Sequence, residues 1–420
     1  MFSKPISLIS FIAIILCSFF VVNTYAQTVW TRYEHNPILI PGETGAWDEN
    51  FAVATTVLYH DNIYKMWYEG DEGFGYATSL DGLIWTKDTI HNPVLQPGPS
   101  FWDALEIANA SVLFVDNTYR MWYSGVDLLD ENQIGHAVSP DGINWTKDPL
   151  SPVLQFGPQG SWDENELIHP FVIYEDSIYK MWYNGHDGNT QRILYATSSD
   201  GIDWSRFVDH PALEPGQSGL WDDHELGPLC VLHNQDGYHM WYTGFNQSGL
   251  IQIGYATSAD GITWTKDVVN NPVLIPDSSG FWDDSGVAFP FVLQEENILK
   301  MWYGGTDGAF FQSGYATSEI ATSINGNQTS LDDFKYSLEQ NYPNPFNSKT
   351  TINYQLEFNY FVELTVYNAL GKKVASLVNQ KQQAGQYNVS FHGCGLASGI
   401  YYYKLSAGSI HQVRKMILLR

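Results

Sequence analysis

The chain has 420 residues, 44% apolar and 15% aromatic, with a formal charge of −26. That is apolar material for more than one core, and abundant aromatics beside few Ala/Leu/Glu/Lys runs favour strands over helices. Residues 336–420 carry eight Lys/Arg against three Asp/Glu, so the negative charge lies upstream; an acidic surface repels phosphate backbones and excludes nucleic acid as a partner.

Residues 1–26 read as a secretory signal: Lys4, an apolar run over 6–22, and a small-x-small cleavage site at Thr24-Tyr25-Ala26. The other reading of the same run is a membrane anchor, for which its length is near the lower limit. Cys230 and Cys394 then remain, in different domains. With no disulfide to staple it, the exported chain must be held by its core.

From Trp47 a phrase repeats five times with a period of about sixty residues, starting at Trp47, Trp102, Trp162, Trp221 and Trp282. Each copy opens on Trp-Asp and reaches a Met-Trp-Tyr-x-Gly run whose Met (Met66, Met121, Met181, Met240, Met301) lies nineteen residues after the first Trp. Four strand-like runs fit in each. In the third copy they cover 167–174, 179–183, 193–197 and a short stretch at Trp204, with a turn at Glu175-Asp176-Ser177 and a hairpin signal at Asp200-Gly201. Four antiparallel strands per repeat predict an all-β, five-bladed β-propeller over 27–322. The fifth copy lacks its last strand. Trp30-Thr31-Arg32 before Asn36-Pro37 matches Trp264-Thr265-Lys266 before Asn271-Pro272, so the N-terminal strand is expected to complete the last blade and close the ring. This uses all fifteen Trp as three per blade.

Residues 323–335 read as a linker. Over 336–420 short strands resume without the sixty-residue period, at 351–356, 362–367, 373–377, 387–391, 400–405 and 412–418, as in a small Ig-like β-sandwich. The motifs Asn341-Tyr342-Pro343-Asn344-Pro345-Phe346-Asn347, Gly371-Lys372-Lys373-Val374, Gly385-Gln386-Tyr387 and Gly399-Ile400-Tyr401-Tyr402-Tyr403-Lys404-Leu405 resemble the C-terminal sorting domain (type A) of type IX secretion substrates. The resemblance implies export through the periplasm and across an outer membrane, to the cell surface or beyond, with that secretion machinery as partner.

Residues common to all copies read as scaffold, and the Asp of each Trp-Asp pair as a turn or capping residue. Function is expected where the copies differ yet face one place. Each first strand should line the channel and start four to seven residues after the leading Trp. At plus four stand Phe51, Glu106, Glu166, Glu225 and Gly286; at plus seven Ala54, Asn109, His169, Pro228 and Phe289. The second strands and following loops add Glu69, Asn184, His186 and Asp187, and His136 replaces a Tyr found in the other copies. A carboxylate-rich bowl bordered by aromatic rings suits sugars. Crowded glutamates raise one another's pKa, as a general acid requires. The candidate catalytic residues are Glu166 and Glu225, with Glu106 tuning them; Asn109, His136, His169, Asn184, His186, Asp187 and Glu69 are candidates for substrate binding. The alternative is that the glutamates cap backbone N–H groups or supply oxygens to a Ca²⁺ in the channel.

The repeats, the Asn-Pro-Val-Leu bridges and the phrase running from Ile253 to Trp264 resemble the five-bladed-propeller glycosidases over about residues 28–320. That group includes arabinanases, β-xylosidases, invertases, levansucrases and mannoside phosphorylases. The resemblance implies a secreted glycoside hydrolase acting on a poly- or oligosaccharide. Many of these enzymes carry a catalytic Asp at the first inner strand; here Phe51-Ala52-Val53-Ala54-Thr55 has no carboxylate. The second hypothesis is a non-catalytic propeller binding glycans or proteins at the cell surface. A monomer is expected in either case.

Overall fold

The computed structural model describes residues 30–278, 280–320, 337–356, 360–368, 372–383, 385–407 and 410–419. The signal at 1–26 and the whole of the linker, 323–335, lie outside them. Two compact units separate at Ser323/Ile324. Among the described residues the only helix is the short 3₁₀ turn Phe101–Asp103, and none is long and apolar enough to cross a membrane.

In the first unit the copies become four-stranded antiparallel sets. β1 is Thr31–Arg32. The first repeat holds β2 (Phe51–His60), β3 (Ile63–Gly70), β4 (Gly73–Ser79) and β5 (Thr86–Lys87). The second holds β6 (Glu106–Val115), β7 (Thr118–Val126), β8 (Asn132–Ser139) and β9 (Thr146–Lys147), and the third β10 (Glu166–Glu175), β11 (Ile178–His186), β12 (Gln191–Ser198) and β13 (Ser205–Arg206). The fourth holds β14 (Glu225–Asn234), β15 (Gly237–Phe245), β16 (Ile251–Ser258) and β17 (Thr265–Lys266). The fifth has β18 (Gly286–Glu295), β19 (Ile298–Thr306) and β20 (Phe311–Glu319), and β1 takes the fourth place, pairing Thr31 with Thr317 and Arg32 with Ala316.

The Met, Trp and Tyr of each such strand are buried in all five copies, because both sheet faces are covered by neighbouring repeats there. Each indole reaches the next repeat. Trp67 Nε1 donates to Gly142 O at 2.9 Å, Trp122 to Gly201 at 2.8 Å, Trp182 to Gly261 at 2.7 Å and Trp302 back to Gly82 at 3.0 Å. Between the fourth and fifth repeats Trp241 instead meets Trp30 edge to face, centroids 6.2 Å apart. The Asp-Gly pairs are thus not tight hairpins. Asp141 Oδ1 accepts the N–H groups of Ile143 and Asn144, and Gly142 sits at φ +82° with the Trp67 ring where a side chain would go. The two-residue turns stand between first and second strands, at Asp61-Asn62, Asp116-Asn117 and Asp176-Ser177, all at positive φ.

The Trp-Asp carboxylates are not turn caps, as the sequence suggested, but buried ion-pair partners. Asp48, Asp103, Asp163, Asp222 and Asp283 each accept a Tyr hydroxyl of the same repeat at 3.0–3.3 Å. Each also meets the outer-strand cation, Lys87, Lys147, Arg206, Lys266 and Arg32 respectively, at 2.5–3.0 Å. A second set of cations stands near the hairpin end of the second strands and bridges repeats: Lys65 to the Tyr119 hydroxyl, Arg120 over the Tyr179 ring, Lys180 to Glu175 and Tyr238, and Lys300 to Glu295 and Tyr64.

The second unit packs two antiparallel sheets over its own core. β21 (Ser337–Leu338), β22 (Lys349–Leu356) and β25 (Gly385–His392) form one sheet. β23 (Tyr360–Asn368), β24 (Lys373–Gln382), β26 (Gly399–Ala407) and β27 (Ile410–Leu418) form the other, in the order β24-β23-β26-β27. Ile352, Tyr354 and Leu356 alternate inward along β22 to meet Val362, Leu364, Tyr403 and Met416.

Candidate functional site

The first strand of every repeat is interrupted by a bulge where its pairing slips, for example between Ala108 and Ser111 in β6 and between Ile168 and Phe171 in β10. Asn109, His169 and Phe289 occupy that bulge in the left-handed region, at φ 54°, 56° and 53°. The plus-seven residues Ala54, Asn109, His169, Pro228 and Phe289 consequently line one recess to which all five repeats contribute. Its cavity volume is ≈ 30 Å³, room for about one or two waters and too little for a sugar ring, which would have to rest at the mouth.

The bulges are held by the variable residue of the Met-Trp-Tyr-x-Gly run in the neighbouring repeat. Glu69 Oε2 accepts the Asn109 N–H at 2.7 Å, Ser124 Oγ the His169 N–H at 2.9 Å, and Thr243 Oγ1 the Phe289 N–H at 3.2 Å. Pro228 has no N–H to offer. Asn184 therefore turns its amide and donates through Nδ2 to Leu226 O at 2.8 Å, joined by Gln191 Nε2. Asn184 Oδ1 is left to hold His169 Nδ1 at 3.0 Å. Burial pushes the His169 ring down to about 4, so it is neutral. With Nδ1–H assigned by this bond, Nε2 is an acceptor at the recess.

At the mouth, Glu106, Glu166 and Glu225 are the first residues of β6, β10 and β14, opposite Val126, His186 and Phe245. Glu166 Oε1 accepts Asn132 Nδ2 at 2.9 Å. Burial raises the Glu166 pKa; His186 opposes the rise, and the charges of Glu225 and Asp130 add to it. Glu106 stays open to solvent, and its partial burial together with Asp130 raises it as well. Glu225 has His224 Nδ1 at 3.7 Å. Burial pushes the Glu69 carboxyl up to about 8; the Asn109 N–H pulls the other way, and the Glu106 charge adds to the rise. The five carboxyl groups Glu69, Glu106, Asp130, Glu166 and Glu225 thus come from four consecutive repeats and are linked by their charges from one to the next. On the other side, Phe51, Phe289 and Phe311 make an apolar corner with centroids 5.1–6.1 Å apart.

The remaining candidates separate. His136 is 1% exposed, wedged between the Trp122 ring and Asp148 Oδ2 at 3.1 Å, with burial lowering its pKa. It packs between the Trp122 ring and the last strand's loop, away from the recess lining. Glu69 and Asn184 work as inter-repeat clamps. Asp187 caps its own turn through Asn189 and Thr190 N–H and meets Arg192 at 2.7 Å, and His186 Nδ1 accepts the Gly188 N–H at 3.0 Å beside Glu166. Sequence reasoning missed Asp130 and Asn132, which act on Glu166 across a repeat boundary. The one available signal was the longer Val126-Asp127-Leu128-Leu129-Asp130 loop. Among the described residues no group of three or more His, Cys, Asp or Glu is arranged to hold a metal ion.

Residues 340–419 match the family model of the secretion system C-terminal sorting domain. An uncharacterized protein of Mycobacterium tuberculosis is 26% identical over 263 residues, 58% of this chain and 84% of that one. Among solved structures, a glycosyl hydrolase from Bacteroides ovatus superposes with a TM-score of 0.56 at 19% identity, over 70% of this chain and 94% of that one. A β-1,2-mannobiose phosphorylase from Listeria innocua gives a TM-score of 0.55 at 17% identity, over 69% and 96%. At such identities the likeness is one of fold. The chain therefore joins a unit with the propeller fold of GH130-like glycoside hydrolases to a type IX sorting domain, and it is exported to the cell surface or secreted.

Proposed function

We propose that the first unit is a five-bladed ring closed by its N-terminal strand, and that it cleaves glycosidic bonds at the mouth of the recess. The closure is supported by the indole contacts that run from each repeat to the next and return from the fifth to the first. The activity rests on one observation above the others: Glu166 and Glu225 start adjacent inner strands, and burial raises the Glu166 pKa with the charge of Glu225 adding to the rise. Glu166, holding its proton, gives it to the leaving oxygen. Glu225 takes a proton from the attacking water, whose oxygen bonds the anomeric carbon as the C–O bond breaks. His169 Nε2 and the Asn109 amide take sugar hydroxyls at the recess, and the Phe51–Phe289–Phe311 corner takes a C–H face of the ring.

The test is release of reducing ends from a panel of poly- and oligosaccharides. Glu166→Gln and Glu225→Gln should each lower the rate by at least about 10²-fold while the melting temperature holds. Binding of a glycan with no cleavage by the unaltered protein would favour the second reading, a cell-surface glycan-binding propeller, which the absence of a carboxylate at Phe51 and Gly286 supports.

A further inference from the structure

We infer that this site takes an uncharged glycan and transfers it to water, with no place for inorganic phosphate as acceptor or for a uronate or sulfate on the sugar. The inference rests on the glycosidase reading above and concerns which acceptor and which substrate class that site admits. Between residues 27 and 320 the chain has only ten Lys and Arg against 41 Asp and Glu, and every one of the ten is committed. Five are locked against the buried Trp-Asp carboxylates at the outer strands.

Four stand near the hairpin end of the second strands, the far end from the mouth. Lys180 is six residues from His186 along β11, about 20 Å at the usual rise of a strand. The tenth, Arg192, is at the mouth end of its strand but meets Asp187 at 2.7 Å, and its guanidinium lies over the Trp162 ring, 4.9 Å from the centroid.

A phosphate dianion beside a reacting sugar needs cationic forks, a helix N-terminus or a nest of glycine N–H groups. The described residues contain no helix longer than three residues, and the carboxylates at the mouth, Glu106, Asp130, Glu166 and Glu225, outnumber the imidazoles of His186 and His224 beside them. Their field repels anions from the position an acceptor would occupy. A neutral sugar is different. Its hydroxyls donate to these carboxylates and its C–H face rests on the Phe corner. The products are then two sugars with water added across the broken bond, the new reducing end carrying the water oxygen.

Two measurements on the full chain decide the matter. Equilibrium dialysis against labelled inorganic phosphate should retain none above a control protein, with or without a neutral oligosaccharide. Digests of neutral oligosaccharides, run in phosphate-free buffer and again with millimolar phosphate, should proceed at the same rate and yield free reducing sugars only; uronate-bearing chains should be cleaved at least tenfold more slowly. Saturable phosphate retention, sugar 1-phosphate among the products, or preferred cleavage of uronate-bearing chains would overturn the inference. Failure to cleave any glycan would sink the glycosidase reading, while the dialysis result would still decide on the anion.

Discussion

At the scale of single residues, the proposed chemistry depends on Glu166 keeping its proton. Glu166 is raised chiefly by burial, and Asp130 reaches it from the preceding repeat. Asp130→Asn removes one of the negative charges that oppose its ionisation. The alkaline limb of the pH–rate profile, where the acid loses its proton, should therefore move to lower pH, with Glu225→Gln inactive throughout. Glu69 offers a second test with an opposite readout. Its folded pKa, about 8, lies above its ordinary 4.5. A proton is thus bound more tightly in the folded chain. The stability this contributes is complete below pH about 4.5 and is lost as the pH rises through about 8. Urea midpoints of the unaltered protein should fall across that window relative to Glu69→Gln, which keeps the uncharged form at every pH. A midpoint difference that does not change with pH would contradict the burial of this carboxyl.

Secondary-structure elements acquire their positions from pairs repeated in every copy. The Asp of the Trp-Asp pair joins the start of its repeat to the last strand through a Lys or Arg and to the second strand through a Tyr. Asp103 is fully buried, with Lys147 Nζ at 2.5 Å and the Tyr123 hydroxyl at 3.2 Å. Asp103→Asn leaves the ammonium without its counter-charge in a half-buried site, and should cost about 3–5 kcal/mol in denaturant unfolding. The bulges are a different device. They spend regular pairing to turn Asn109, His169 and Phe289 toward one recess, and the left-handed backbone there is held by hydrogen bonds from the neighbouring repeat. The site is therefore assembled between repeats, and no single repeat contains it.

For the molecule as a whole, two units with separate cores divide the work. The first carries the acidic mouth; the second carries the sorting signal and has its own two-sheet core. Removing residues 340–419 should leave the melting temperature of the first unit and its glycan cleavage unchanged, because its cores draw on no residue of the tail. The truncated protein should be retained in the periplasm, which fractionation and immunoblotting would read. Surface display of the truncated chain would contradict the role of the sorting domain.

Strands and their recurrence are legible because they are written in local pattern. A Met-Trp-Tyr run is a buried strand wherever it recurs, a sixty-residue period implies stacked equivalents, and the match of Trp30-Thr31-Arg32 to Trp264-Thr265-Lys266 points to the strand that pairs with β20. The plus-seven register was legible too, since all five of its residues line the recess. What local pattern could not convey is which side chains share space across repeats. His136 reads as a polar exception and is a buried packing residue. The Trp-Asp carboxylates read as turn caps and are ion-pair partners of cations about forty residues away, or about 250 in the case of Arg32 and Asp283. Glu69 and Asn184 read as substrate ligands and hold neighbouring strands in register. Asp130 and Asn132 gain meaning only beside Glu166. The reason is physical: periodicity determines the face a side chain takes within its own sheet, whereas bulges and the stacking of one sheet on the next determine what that face meets.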